Sequence, residues 1–375
     1  MLGLQGTVSN RSLQTIYHTH VVKNILTPRG VGRNDPLMNT ILPEPFMLAP
    51  MAEITTPALR KTVKGFSPHV IMYSEMLSAT ALVHWGMCND SLSSRHEFDD
   101  PIIYQILGDS PELMSRACEL LSQNGGYAID INMGCSAPEI LNRGWGARLL
   151  QDFDKTRDII RACRKAVPSR LSIKMRSGYQ DHDIPLLLDF TRMFQDEGVD
   201  FIALHPRFAK LSFKRKADWS LIELVKKHVS IPVIGNGDII DPVEAVAVLR
   251  SGICDGIMIG REAVKSPWIF QVCHALMSGE SSTITIPVDK IFIEVLKNMQ
   301  DMLPPEFHKT RAHRFCVYYS QNVAFAHDLF KKIRPLSSIE DMIPVVRDYF
   351  ERNPHEAVKT YHIDNGTLHL ANPGE

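Results

Sequence analysis

The sequence predicts an α/β fold, a TIM (β/α)8 barrel, followed by a smaller all-α helical bundle domain. Three observations carry this. A strand-then-helix unit recurs eight times from residue 45. The strands are short continuous apolar runs, the pattern of a parallel sheet covered by helices. The units fill roughly 225 residues, near the usual length of such barrels. A doubly wound sheet is the alternative, but it carries a Gly-rich fingerprint after its first strand, and the chain has no GxGxxG.

The strand runs, in order, are Phe46–Ala49, Val70–Tyr73, Ile102–Ile106, Ala128–Ile131, Leu171–Lys174, Phe201–Leu204, Pro232–Ile234 and Gly256–Ile259. Between them the 3.6-residue pattern predicts helices over Pro57–Lys64, Pro111–Gln123, Lys155–Ala166, Pro185–Glu197, Trp219–Lys227 and Pro242–Arg250. Pro111 follows Ser110 and Pro242 follows Asp241, an N-cap before a first-turn proline. Further on, helices are expected over Val288–Met302, from about His308 to Ala326, and over Ser338–Phe350. The expected organisation is an N-terminal extension (1–44), a barrel (45–280), a helical domain (285–352) and a loose polar tail (353–375).

The 375 residues carry a net charge of −1, with 44% apolar and 22% charged residues. That composition is globular and excludes a disordered chain or a wholesale basic nucleic-acid binder, but not a local basic patch. No apolar run approaches the roughly 18 residues of a membrane helix, so no membrane partner is expected. Seven cysteines without a CxxC pair argue against zinc, iron–sulfur and disulfide frameworks, so no metal is expected. The sequons at Asn10, Asn89 and Asn365 read as chance matches. Residues 1–34 hold no acid and carry Arg11, Lys23, Arg29 and Arg33. The expected location is the cytoplasm, with an organellar one as the alternative if this stretch is a transit peptide. A monomer is expected.

Polar residues stand at nearly every strand end, and in a barrel these ends share one mouth, the face that carries chemistry. The sequence places there Pro50 and Met51, Ser74 and Glu75, Gln105, Asn132 and Cys135, Lys174 and Arg176, His205 and Arg207, Asn236, Gly237 and Asp238, and Gly260 and Arg261. Strands seven and eight end Gly-Asn-Gly-Asp and Gly-Arg, where barrels often bind phosphate. Arg261 adds a charged donor. Lys174 and His205 are donors for an electron-rich ring, and the Gln105 amide can pair with its edge. FMN fits this set; a sugar phosphate would use the same phosphate corner. Cys135 lies between a strand end and Ser136-Ala137-Pro138-Glu139, read as a capping box that opens a helix. A thiol beside a helix N-terminus is expected to favour thiolate and to be tuned for proton transfer.

These motifs, Ile131-Asn132-Met133-Gly134-Cys135, Lys174-Met175-Arg176, His205 with Arg207, Gly235-Asn236-Gly237-Asp238 and Met258-Ile259-Gly260-Arg261, resemble those of tRNA-dihydrouridine synthases. Leu48-Ala49-Pro50-Met51 and Pro267-Trp268-Ile269-Phe270 match as well, and the resemblance spans about residues 45–350. It implies an FMN enzyme, re-reduced by NADPH (or NADH), that converts a uridine of tRNA to 5,6-dihydrouridine. By the resemblance Cys135 is the proton donor to C5. Asn132, Lys174 and Arg176 stand near the uracil or flavin edge. Gln105, Lys174 and His205 contact the flavin ring, and Asn236, Gly237, Gly260 and Arg261 hold the phosphate. Two positions depart from the family pattern: Ser136 stands where proline usually follows the cysteine, and Pro206 where glycine usually separates the His and Arg of strand six.

A basic run follows strand six: Arg207, Lys210, Lys214, Arg215 and Lys216, with Phe208 and Phe213 interleaved and no acid. At a barrel mouth such a run is expected to contact phosphates. In the helical region the positive residues cluster as Lys309, Arg311 and Arg314 and as Lys331, Lys332 and Arg334, a candidate face for tRNA backbone. Two other readings stay open: an FMN barrel acting on a free small molecule, and a tRNA-binding relative without turnover.

Overall fold

The computed structural model describes residues 41–86, 92–181, 183–211 and 215–370. Nearly all of the N-terminal extension, with Asn10, and Cys88, Asn89, Phe213 and Lys214 lie outside them. Eight parallel strands form one sheet: β1 (Phe46–Leu48), β2 (Met72–Ser78), β3 (Ile102–Leu107), β4 (Ala128–Met133), β5 (Arg170–Arg176), β6 (Phe201–His205), β7 (Val233–Asn236) and β8 (Gly256–Ile259). Their order is β1-β8-β7-β6-β5-β4-β3-β2. The Leu48 N–H donates to the Ile71 carbonyl (3.0 Å) and the Ile71 N–H to the Phe46 carbonyl (3.2 Å), which brings the ends of the sheet together as a barrel.

The barrel helices are α1 (Pro57–Phe66), α2 (Ala79–Trp85), α3 (Pro111–Gln123), α4 (Pro138–Leu141), α5 (Phe153–Ala166), α6 (Ile184–Asp196), α7 (Ser220–His228), α8 (Pro242–Ser251), α9 (Arg261–Lys265) and α10 (Ile269–Ser278). The capping residues set where they begin. Ser110 and Asp241 accept from Leu113 and Val243 N–H groups, and Thr56, Asp152 and Asp183 do the same for α1, α5 and α6.

The period of two along each strand sends alternate side chains into the barrel. At the lower end these are Met47, Ile71, Tyr73, Ile103, Ala128, Phe201, Ala203, Ile234 and Met258, a closed apolar plug separate from the layer between strands and helices. One or two positions further along, the same inward rows turn polar: Gln105, Asp130 and Asn132, Ser172, Lys174 and Arg176, His205, and Asn236. Each aliphatic side chain buried in the plug contributes on the order of 1.5–3 kcal/mol. The plug therefore supports a rigid polar floor at the strands' carboxyl ends.

After the barrel come β9 (Ser282–Pro287) and the helices α11 (Val288–Met302), α12 (Pro305–Tyr319), α13 (Ala326–Ile333) and α14 (Ile339–Arg352). Phe292, Phe315 and Tyr319 pack ring on ring, with centroids 4.9–5.7 Å apart, and Tyr319 meets Trp268 of the barrel at 6.3 Å. Phe292, Phe315 and Tyr319 are all buried. No helix among the described residues is long and apolar enough to cross a membrane.

Three expectations need correction. The second strand starts and ends later than expected, so Ser74 and Glu75 lie inside β2, at a register shift between Tyr73 and Met76. The helix expected over about His308–Ala326 stops at Tyr319, where the chain turns and the Asn322 amide donates to the Lys265 carbonyl (2.5 Å); α13 follows as a separate helix. Of the loose tail expected over 353–375, the described residues 353–370 are instead ordered: β10 (Val358–Asp364) pairs antiparallel with β9 and with β11 (Thr367–Leu370). Asn365-Gly366 makes the turn, with φ of 48° and 75°, the left-handed pair that favours Asn-Gly in a two-residue hairpin. Tyr361 of β10 accepts a hydrogen bond from the Trp268 indole at 2.9 Å, which ties this sheet to the barrel.

Candidate active site

The polar floor is built by strand register. Gln105 sits beside Asp130, Asp130 beside Ser172, Asn132 beside Lys174, and Arg176 beside His205. The side chains form one chain of hydrogen bonds. Ser172 Oγ donates to Asp130 (2.7 Å), Gln105 Nε2 donates to the other Asp130 oxygen (2.7 Å), and Asn132 Nδ2 donates to Gln105 Oε1 (2.8 Å). Asn132 Oδ1 then accepts from the N–H groups of Gly134 (3.0 Å) and Cys135 (2.9 Å). An amide has one acceptor end and one donor end. A carboxylate at the base of the chain therefore dictates which way both amides point, and so what holds the cysteine turn.

The turn is closed from its far side. The Cys135 carbonyl accepts from Ala147 N–H (2.9 Å) at the start of a short 3-10 segment, Gly146–Gln151. Gly146 has φ 62°, and a Cβ there would lie 2.7 Å from that carbonyl and 3.1 Å from Cys135 Cβ. The expected capping box does not form: α4 is one turn long, its N-cap is Ala137, and no side chain caps it. The thiol is half-buried, and burial raises its pKa, against a lowering by the Ala137 N–H, Arg176 and Lys174. Cys135 is thus a thiol at neutral pH rather than the expected thiolate, because desolvation outweighs a single short turn of helix.

Around it stand cations. The Lys174 ammonium makes no side-chain hydrogen bond with a described residue; burial, with Arg176 beside it, lowers its pKa to about 8 against the opposing charge of Asp130. Burial and the nearby Arg207 take Arg176 down to about 10, while its Nε holds the Gly134 carbonyl at 2.8 Å. Burial followed by Lys174, Arg176, Arg207 and Arg261 pushes His205 down to about 2, so the ring is neutral. Arg207 Nη1 lies 3.1 Å from His205 Nε2. A guanidinium can only donate, so Nε2 accepts and the proton sits on Nδ1. Asp130 is the counter-charge below, and burial raises its pKa to about 6.

At the ends of β7 and β8, Asn236 Nδ2 donates to the Met258 carbonyl (2.8 Å). Gly237 has φ 131°, and a Cβ there would lie 2.9 Å from Ala217 Cβ and 3.0 Å from the His205 ring. Asp238 accepts from Arg207 (2.5 Å) and from the Ala217 N–H (2.8 Å), and Arg261, half-exposed at the start of α9, stands 3.7 Å from it. Across the mouth, the Met51 N–H donates to Thr55 Oγ1 (2.9 Å), and Met51 comes close to Gly260.

The structure brings Pro50, Met51, Gln105, Asn132, Cys135, Lys174, Arg176, His205, Asn236, Gly237, Asp238, Gly260 and Arg261 to the carboxyl ends of the barrel strands. Lys210, Arg215 and Lys216 are exposed beyond strand six, and Lys331, Lys332 and Arg334 are exposed on α13 and just after it. Two residues expected on the tRNA-facing surface are inside instead. Arg207 is 5% exposed and engaged with Asp238 and His205, and Arg311 is 4% exposed and faces Glu75. Arg314 is exposed but ion-paired with Glu53. Spacing along a helix or loop identifies neighbours, not which of them turn inward. The sequence reading missed Asp130, Ser172 and Gly146. Asp130 and Ser172 had a legible signal, as each lies two residues before a chosen residue, Asn132 or Lys174, and so on the same strand face. Gly146 had none, because its role depends on the loop returning to Cys135.

A closed parallel barrel with a half-buried thiol, a desolvated lysine and a glycine corner at its strand ends defines a TIM-barrel enzyme. A family model for dihydrouridine synthase (Dus) matches residues 47–334, and the chain belongs to the dihydrouridine synthase family, whose members are oxidoreductases. It is 32% identical over 263 residues to tRNA-dihydrouridine synthase B of Vibrio vulnificus (strain CMCP6), covering 70% of this chain and 81% of that protein. It is also 32% identical over 311 residues to tRNA-dihydrouridine synthase B of Pectobacterium carotovorum, covering 81% and 95%. Probable tRNA-dihydrouridine synthase 1 of Synechocystis sp. is 28% identical over 284 residues, covering 75% and 79%.

Proposed function

We propose that this chain reduces a uridine of tRNA to 5,6-dihydrouridine, with Cys135 as the proton donor. The observation that carries the reading is a half-buried thiol on a turn fixed by Asn132, Arg176 and Ala147 at a polar mouth, with Lys174 and Arg176 beside it. The uracil C5=C6 bond takes a hydride at C6 and a proton at C5. Cys135 Sγ–H supplies that proton, and the thiolate left behind is stabilised by Arg176 and Lys174 until solvent returns a proton. Asn132 holds the cysteine turn through two backbone N–H groups, and Arg176 fixes the same turn from the Gly134 carbonyl.

FMN is the cofactor this reading assigns, and two features fit it. The Lys174 ammonium makes no side-chain hydrogen bond with a described residue and has only Asp130 below it as counter-charge, so an electron-rich ring edge would give it a partner. The Gly237 corner leaves no room for a side chain, which suits close backbone approach to a phosphate, with Asn236, Gly260 and Arg261 beside it. When bound, FMN supplies the hydride, and NADPH or NADH restores it. Lys174, His205 and Met51 would border the ring, and Gln105 acts from beneath, already committed to Asp130 and Asn132.

A tRNA substrate is supported by the likeness to tRNA-dihydrouridine synthases B and by the exposed cations Lys210, Arg215, Lys216, Lys331, Lys332 and Arg334. A stacked uridine has to be flipped out to reach the mouth, at a cost of a few kcal/mol. Phosphate contacts offset that cost and make binding salt-dependent. Mapping dihydrouridine by mass spectrometry, in tRNA from cells with and without the gene, tests the reading. A site lost with the gene and restored by it is expected; unchanged dihydrouridine at every position would refute it.

A further inference from the structure

The loop that follows β1 enters the mouth as Pro50-Met51 and passes through Glu53 in a left-handed conformation, φ 60°. A non-glycine residue with a long side chain is strained there and stays only if its surroundings hold it. The holders are on the page. The Glu53 N–H donates to Glu75 Oε2 at 2.5 Å. Glu75 is 3% exposed and sits at the β2 register shift, which turns it toward this loop and the helical region. Its carboxylate meets Nε and Nη2 of Arg311 at 3.5 and 3.4 Å. Arg311 comes from α12, 236 residues away in sequence, and its guanidinium lies 3.9 Å from the Phe307 ring centre. One helical turn further on, Arg314 pairs with the Glu53 carboxylate itself. Two arginines of the helical region thus grip the same mouth loop, one through Glu75 and one directly.

We propose that Arg311 and Arg314 are positioning residues that hold the Pro50–Thr55 loop in its left-handed form, so that docking of the helical region completes the cofactor side of the mouth. The consequence for FMN rests on the reading of the mouth given above; the consequence for the loop does not. A buried carboxylate is costly unless paired, so removing the Arg311 cation frees Glu75 to protonate or withdraw and leaves Glu53 unsupported. Met51 lies two residues before Glu53, and its carbonyl accepts from Ile54 and Thr55, so relaxation at Glu53 moves it.

The test uses the full chain with R311Q, R314Q, R311K and the double variant R311Q/E53G. Three quantities are read: amide hydrogen exchange of peptides spanning residues 50–56, FMN affinity by flavin fluorescence quenching, and the salt slope of tRNA binding. For R311Q and R314Q, exchange faster by about tenfold, FMN binding weaker by about tenfold and an unchanged salt slope are expected. R311K is expected to recover part of the loss. R311Q/E53G is expected to recover more, because glycine adopts the left-handed conformation without being held. Unchanged exchange over 50–56, or a salt slope reduced by about one phosphate contact per arginine, would overturn the proposal. If R311Q fails to fold, R314Q carries the same readings, since Arg314 is surface-exposed. A wild-type protein that binds no FMN would sink the reading of the mouth, while the exchange measurement still decides the clamp.

Discussion

The proton on Cys135 is the property of a single residue on which the proposed chemistry turns. Because the proposed proton donor is the Cys135 thiol, whose pKa burial raises further above neutrality, Cys135→Ala should retain flavin binding and flavin reduction but form little dihydrouridine, a separation seen by following flavin absorbance and product in the same reaction. Lys174 sets the alkaline limit. Its pKa is lowered to about 8, so the ammonium is lost as pH rises through that value, and single-turnover product formation should fall there. His205 contributes no acid limb near neutrality, since it is neutral above about pH 2. Asp130→Asn sharpens the point. Asparagine can still accept from Gln105, but it removes the negative charge that raises the Lys174 pKa. The alkaline limb should therefore move to lower pH. The same change should make the protein more stable at pH 7, read as a higher Tm. The folded pKa of Asp130 is raised to about 6 from 3.8, so its charged form costs stability at neutral pH, a cost relieved as pH falls through 6. An alkaline limb unmoved in Asp130→Asn would mean that the limb does not report Lys174.

At the scale of elements, the cysteine turn, the 3-10 segment and the β10–β11 hairpin each depend on one glycine or asparagine conformation. Gly146→Ala places a methyl group against the Cys135 carbonyl at a left-handed φ, a cost of about 1–3 kcal/mol, and it shifts the turn that carries the thiol. Chemical denaturation should show that loss, and product formation should fall more than flavin binding does. The basic loop after β6 makes a separate prediction. Charge reversal at Lys214, Arg215 and Lys216 should weaken tRNA binding and make its salt dependence shallower, while flavin binding stays unchanged. An unchanged slope would mean that the loop is solvated surface. The hairpin was legible: Asn365-Gly366 stands between alternating residues, Tyr361 and Ile363 before it and Leu368 and Leu370 after. Local pattern alone does not order it, because Tyr361 and Ile363 gain burial only against β9 and Trp268, which lie far away in sequence.

On the scale of the whole molecule, the near-zero net charge conceals a division. Lysines and arginines cluster at the mouth, several of them beside Asp130, Asp238, Glu53 or Glu75, and on exposed helical surface, while the whole chain sums to −1. Not every cation in a basic cluster faces the substrate side. Lys331, Lys332 and Arg334 are exposed, whereas Arg311, from the other helical cluster, is spent on Glu75 inside the molecule. The helical region and the barrel also share one aromatic core, through Trp268 and Tyr319. A chain cut after residue 280 should therefore lose stability as well as tRNA binding, which thermal unfolding of the truncated protein would measure.

By itself the sequence determined the eight strand–helix units, most helix starts and the set of residues at the strand ends, because caps, prolines and apolar periodicity act within a few residues of one another. It also determined the family, through short motifs, most of them at a strand end. Only the tertiary structure decided the direction of the amide chain from Asp130 to Cys135, the protonation of the thiol, and the inward turn of Arg207 and Arg311. Those depend on which groups from distant strands and helices share a low-dielectric space, and burial, unlike periodicity, is a property of the whole packed chain.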